Sequence, residues 1–222
     1  MVVKDCNFSV QKGEMIGLMG ESGSGKSTLA KLLIGLEKPS QGQVLLDGQP
    51  YSVKNSGVRI LLVFQDSLHS VNPHFTVEQV LTEALPKDVA REEIEAILED
   101  VGLDKSYLTQ PARQLSGGQL QRICIARGLL LKPDVLIFDE ALSGLDPIVQ
   151  GRLLRLLYDL WEKYQLTYLF ISHDFKLSYA LCHRILVMAD GEIVDEIKDF
   201  ELPIQAHHPV TKKLIGDKGH FN

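Results

Sequence analysis

The chain has 222 residues, 45% of them hydrophobic, enough to bury one sizeable core with room for a small second lobe. Its net charge of −6 argues against a nucleic-acid protein, which would carry a basic excess or stripe. Cys6, Cys124 and Cys182 are far apart, odd in number and without C-x-x-C spacing, and no apolar run approaches the roughly 20 residues of a bilayer span. A soluble, non-secreted protein of a reducing cytoplasm is therefore expected, free of a disulfide framework; Lys4 and Asp5 stand where a signal peptide would be apolar.

In chain order, residues 2–10 read as a short strand and 11–14 as a turn. The apolar run 15–19 predicts a buried strand, residues 28–34 a helix closed by Gly35, and between them lies Gly20-Glu21-Ser22-Gly23-Ser24-Gly25-Lys26-Ser27. Two fixed glycines, a lysine and a hydroxyl at this spacing, with a strand before and a helix after, form a phosphate-binding loop. Glycines let backbone N–H groups turn inward around an anion, and the helix N-terminus adds partial positive charge. Lys26 is placed to reach the β- and γ-phosphates and the Ser27 hydroxyl to hold Mg²⁺. The expected nucleotide contacts thus run from Gly20 through Thr28.

Residues 38–42 break the chain, 43–48 predict a strand ended by Asp47-Gly48, and 59–64 predict another that delivers Gln65 at its C-terminal end, where ligands of α/β sheets bind. From Asp66 the texture turns polar and then helical. Thr76 and Gln79 have capping-box spacing, Ile94, Ile97, Leu98 and Val101 make a helical stripe ended by Gly102, and Ser116 and Gln119 repeat the capping box at Leu115-Ser116-Gly117-Gly118-Gln119. A helical lobe over about 66–130 is expected, its last helix opening on a second glycine-rich N-terminus.

Residues 135–138 read as a buried strand ending in Asp139-Glu140, carboxylates suited one to holding Mg²⁺ through water and the other to polarising an attacking water. Asp146-Pro147 starts a long helix, with Val149, Leu153, Leu156, Leu157 and Leu160 on its buried side. Residues 168–171 predict a strand leading to Ser172-His173-Asp174, and 185–188 with 193–197 a hairpin through Asp190-Gly191. No strong pattern follows Lys198. Together these elements predict a mainly parallel α/β core with an inserted helical lobe.

Lys26, Gln65, Leu115 to Gln119, Asp139-Glu140, Ser143-Gly144-Leu145-Asp146 and His173 resemble, in order and spacing, the ATPase domain of ATP-binding cassette proteins, and the resemblance covers nearly the whole chain. It implies an α/β fold: a P-loop NTPase core with a small antiparallel β region and an inserted α-helical subdomain, in one nucleotide-binding domain. In that family two domains sandwich two ATP molecules, each between the phosphate loop of one and the L-S-G-G-Q helix of the other. Ser116, Gly117, Gly118 and Gln119 would then close on the γ-phosphate held by a facing subunit. By the same matches Glu140 is the general base, Gln65 senses Mg²⁺ and the attacking water, His173 steadies the γ-phosphate, and Asp146 belongs to a loop coupling the two sites. Ser27, Gln65 and Asp139 are the implied Mg²⁺ contacts.

A finer match lies in Phe64-Gln65-Asp66-Ser67, Ser70-Val71-Asn72-Pro73, Phe75-Thr76-Val77 and His208 to Leu214, which look like segments of the oligopeptide and nickel importer ATPases. Ser67 replaces a proline and Gly144 an alanine of that pattern. The absence of a cysteine-rich extension seen in peptide members tilts the expected cargo toward nickel or a metal chelate. The resemblance implies an importer's energy-coupling ATPase on the cytoplasmic face of the membrane, with permease subunits, a second ATPase and, indirectly, a solute-binding protein as partners, and no nucleic acid. A non-transport member acting in translation or DNA repair is the rival, against which stands the lack of a second cassette or a coiled-coil insertion; a regulatory switch is the third, against which stands Glu140. Relatives carry about twenty or more residues before the segment matching 2–10, including an aromatic that stacks on adenine, so the N-terminal strand region is expected to be truncated. His207-His208, without further ligands, reads as a solvated pair rather than a metal site.

Overall fold

The computed structural model describes residues 2–64, 71–85, 89–142, 146–198, 200 and 204–216. In chain order its strands are β1 (Met15–Met19), β2 (Leu45–Leu46), β3 (Gln49–Pro50), β4 (Ile60–Phe64), β5 (Val135–Asp139), β6 (Thr167–Ile171), β7 (Arg184–Ala189) and β8 (Glu192–Ile197). The helices are α1 (Lys26–Leu33), α2 (Val53–Ser56), α3 (Val77–Thr82), α4 (Arg91–Asp100), α5 (Gly117–Leu130), α6 (Pro147–Tyr164), α7 (Phe175–Leu181) and α8 (Pro209–Ile215). A six-stranded sheet runs in the order β4-β5-β6-β1-β7-β8, with β8 alone antiparallel to its neighbour. β2 and β3 make a separate two-stranded hairpin, the small antiparallel element.

Side chains alternate across a strand, and here the alternation divides the core in two. Met15, Met19, Leu136, Phe138, Tyr168, Phe170, Ile185 and Val187 face α3 to α7, whereas Ile16, Leu18, Ile137, Leu169, Ile171, Leu186 and Met188 face α1. Because both faces are covered, the strands read as continuous apolar runs rather than as alternating ones. The parallel register aligns Phe64 with Asp139, Asp139 with Ile171, and Ile171 with Leu18. All these strands therefore end at one rim of the sheet, and the loops that leave them share that rim.

α3, α4 and α5 pack together beside this sheet. Both capping boxes form: Thr76 accepts from Gln79 N while the Gln79 side chain accepts from Thr76 N, and Ser116 and Gln119 do the same at α5. Ile94, Ile97, Leu98 and Val101 are all buried, and Gly102 stops their helix at φ +73°.

Four expectations need correction. Residues 2–10 are not a strand: Asp5 turns into the left-handed region at φ +42°, and the segment's backbone bond to the hairpin is from Lys4 N to Gly191 O (2.7 Å). The strand over 43–48 shrinks to Leu45–Leu46, because Asp47 and Gly48 take the positive φ of a tight turn at once. Val149 is 40% exposed although Leu153, Leu156, Leu157 and Leu160 are buried, since residues 146–149 form a solvent-exposed first turn of α6. The tail does have structure: α8 is capped by the His208 side chain, which accepts from Val210 N, and is tied down by Asp195, which accepts from His208 N (2.8 Å) and from the buried Thr211 hydroxyl.

Candidate functional site

At the end of β1 the chain passes so close to β7 that a Cβ on Gly20 would lie 2.2 Å from the Met188 carbonyl oxygen, so only glycine fits. The turn then leads into α1, which begins at Lys26, two residues before the expected start. Its N-cap is Gly25 at φ +109°, with no side chain capping the first turn. A helix N-terminus left open in this way presents N–H groups and partial positive charge to an anion. Lys26 curls beneath the loop, donating from Nζ to the carbonyls of Gly20 (2.8 Å) and Glu21 (2.9 Å) and to Ser24 Oγ (3.4 Å). Burial pulls its pKa below the usual lysine range, while the charges of Glu140 and Asp139 act in the opposite direction. The β7–β8 turn braces the loop from behind, Gly191 N donating to Ser24 O (3.0 Å).

The opposite wall comes from the ends of β5 and β6. Burial raises the Asp139 pKa, Ser27 opposes this by a side-chain hydrogen bond, and neighbouring Glu140 adds to the rise. Glu140 itself leaves the strand in the left-handed region, φ +52°, with its N–H bonded to Ile171 O (3.0 Å). That backbone is uncommon for a residue with a Cβ, and it turns the carboxylate off the strand direction. His173 Nδ1 lies 3.0 Å from the Glu140 carboxylate. A cavity of about 380 Å³ is lined by Gly20, Ser22, Gly23, Gly25, Lys26, Ser27 and Thr28 on one side, by Glu140 and His173 on the other, and by Val2. This is a size suited to a small ligand.

Ser27 and Asp139, a hydroxyl hydrogen-bonded to a carboxylate, make a hard oxygen donor pair that fits Mg²⁺, which keeps several waters and takes one or two protein oxygens together with substrate phosphates.

The structure does not bring Ser116, Gly117, Gly118 or Gln119 to this cavity. The first three are exposed, and the Gln119 amide also donates to Tyr107 OH (2.9 Å). Glu21 points outward to Lys213 Nζ (2.5 Å), whose hydrogen bond and then charge hold the Glu21 carboxyl below its ordinary pKa. Gln65 and Ser143-Gly144-Leu145 lie outside the described residues, while Asp146 caps α6 by accepting from Ile148 N. Sequence reasoning overlooked Val2 at the cavity, Lys213 at the loop, and two glutamines that hold the chain just after Glu140: Gln121 Nε2 donates to Ala141 O (2.9 Å) and Gln150 Nε2 to Leu142 O (3.0 Å). The one available signal was the placement of Gln121 two residues beyond Gln119 on the same helix.

The chain is 43% identical over 206 residues to the nickel import ATP-binding protein NikE of Shigella dysenteriae, spanning 87% of this chain and 77% of that protein. It is 38% identical over 221 residues to the metal-staphylopine import system ATP-binding protein CntF of Staphylococcus aureus, spanning 96% and 88%. Among solved structures it resembles the dimeric ATP-binding cassette MJ0796 bound to ADP and Pi, with a TM-score of 0.72 and 27% identity over 89% of this chain and 90% of that one. Among the described residues no helix is long and apolar enough to cross a membrane. The model of the family described as ABC transporter matches residues 3–143, and the chain accordingly belongs to that family, as one of its ATPases.

Proposed function

We propose that this chain is the ATP-hydrolysing, energy-coupling subunit of an importer whose cargo is nickel or a metal chelate, the oligopeptide importers being the related class. The convergence of Lys26, Glu140 and His173 on a single cavity at the sheet rim carries the reading. The cargo class leans on the two relatives, which are named for nickel and metal-staphylopine import.

In this reading Lys26 exchanges its contacts with Gly20 O and Glu21 O for β- and γ-phosphate oxygens, while the N–H groups from Gly23 to Thr28 wrap the same phosphates. Ser27 and Asp139, with Gln65, would hold Mg²⁺, which when bound neutralises charge on the phosphates. Glu140 accepts the proton of the attacking water, a role that its turn off β5 and its proximity to the cavity favour. His173, already engaged at Nδ1 by Glu140, steadies the γ-phosphate with its other ring nitrogen. Ser116, Gly117, Gly118 and Gln119 complete the site of a second cassette rather than their own, which fits the exposure of the first three here. The partners are permease subunits and a second ATPase, at the cytoplasmic face of the membrane.

The test is Glu140→Gln in the assembled transporter. A positioned base contributes about 10²–10⁴-fold, so turnover should fall by that factor while ATP binding stays within about twofold. Hydrolysis at the wild-type rate would move the base to another residue. Stimulation of the wild-type complex by peptides and not by nickel or its chelates would overturn the cargo class alone.

A further inference from the structure

Glu140 is held in an uncommon backbone conformation, and something must keep it there. On its N-terminal side the sheet does so, through Glu140 N to Ile171 O (3.0 Å). On its C-terminal side two side-chain amides grip successive carbonyls: Gln121 Nε2 donates to Ala141 O (2.9 Å) from α5, and Gln150 Nε2 donates to Leu142 O (3.0 Å) from α6. Ala141 and Leu142 are 4% and 3% exposed, so their carbonyls have little access to water. Gln121 is itself only 8% exposed on a helix whose neighbouring buried positions are apolar. A buried amide is costly unless bonded, and a leucine or methionine would pack in its place at no such cost. Its presence therefore calls for a function of the bond.

We propose that Gln121 is a positioning residue for hydrolysis, holding the Ala141 carbonyl so that the Glu140 carboxylate faces the cavity, with Gln150 supporting it from α6. The inference rests on the reading of Glu140 as the base. Its reach is longer than one residue, because α5 opens at Ser116 and carries Gln121 little more than a turn later. The helix whose N-terminus closes on a facing subunit's nucleotide is thus the helix that sets the base of its own subunit.

The experiment compares Gln121→Met, Gln150→Met and Glu140→Gln, singly and combined, in the assembled transporter under single-turnover conditions with Mg-ATP. Gln121→Met keeps length and approximate volume and removes the amide, and with it the Nε2 donor to Ala141 O. A displacement of about 1 Å at a reacting group can cost on the order of 10²-fold, so the hydrolysis rate should fall at least tenfold with the ATP concentration dependence within twofold. Gln150→Met should show the same split with a smaller loss. In the Glu140→Gln background, Gln121→Met should add nothing to the loss, since the group it positions is already gone.

A further loss in that background as large as in the wild type, or a rate and an ATP dependence that shift together, would reduce Gln121 to a structural part and overturn the proposal. If Gln121→Met fails to fold, Gln150→Met with its own double variant decides by the same criteria. An active Glu140→Gln would overturn the reading of the base, whereas an inactive Glu140→Gln beside an unchanged Gln121→Met would overturn only the positioning role.

Discussion

Two glycine-rich helix starts stand in this molecule, at α1 and at α5, and they are built to opposite ends. At α1 the N-cap is Gly25, without a side-chain cap, and Lys26 is tucked beneath with its charge held inside the loop. At α5 the N-cap is Ser116, whose hydroxyl accepts from Gln119 N while the Gln119 side chain accepts from Ser116 N, so this end satisfies part of its own demand. The first is a concave site with cation, hydroxyl and carboxylate already facing one another; the second presents Ser116, Gly117 and Gly118 exposed and away from that cavity. Similar local composition thus yields an enclosed start in one place and an exposed one in the other. The difference lies in what the neighbouring strands bring, since only α1 starts at the rim where β5 and β6 deliver Asp139, Glu140 and His173.

Alanine at one glycine of each start separates the two most sharply. Gly20→Ala forces a Cβ to within 2.2 Å of the Met188 carbonyl oxygen, a clash with backbone that cannot rotate away. Overpacking of this kind costs about 1–3 kcal/mol, so calorimetry should show the melting temperature falling by about 2–12 °C, together with weakened ATP binding. An unshifted melting point would mean that the loop has room that its geometry denies.

Lys26→Ala should leave the fold intact and lower ATP affinity at least tenfold, since charge-assisted bonds are each worth about 1.5–3 kcal/mol. Titration calorimetry on the purified variant reads this directly. Undiminished binding would make the α1 start no more of an anion site than the α5 start.

Gly118→Ala meets nothing within 4 Å, and alanine is favoured over glycine in a helix by up to about 1 kcal/mol, so the melting temperature should hold or rise slightly. ATP binding by the single chain should stay within about twofold while turnover of the assembled transporter drops, because the added methyl obstructs a facing nucleotide. Equal loss of binding and turnover would place Gly118 in its own chain's site and erase the distinction.

The smallest effect is in pH. Because burial lowers the Lys26 pKa, the ammonium deprotonates below the ordinary lysine range in the free protein, and bound phosphate would draw the proton back. Affinity should therefore be flat below that lowered pKa and decline a few-fold as pH rises through it, a decline absent in Lys26→Ala. An affinity that rises with pH over this window would contradict the sign.

Much of this was legible in the sequence because it is local. The phosphate loop, both capping boxes, the Asp146 cap and the buried strands each depend on residues within one or two turns of each other, and the structure shows them where spacing puts them. Residues 2–10 misled because an extended-looking pattern makes a strand only where a partner ladder accepts it, and Asp5 bends the chain away. α8 was hidden because its seven residues carry only Val210, Leu214 and Ile215 as an apolar face, too short a stretch for a period to stand out, and its start rests on a histidine cap and on Asp195.

By itself the sequence determined the fold class and marked the phosphate loop, since these follow from periodicity and fixed short spacings, while Gln65, Glu140 and His173 took their roles from resemblance to a family. Only the tertiary structure decided how those groups meet: the left-handed turn of Glu140, its contact with His173 33 residues on, the grip of Gln121 on Ala141, and Lys213 against Glu21 across 192 residues. The physical reason is the strand order β5-β6-β1, which places chain ends from distant stretches on one rim, and no local pattern of residues encodes which strands become neighbours.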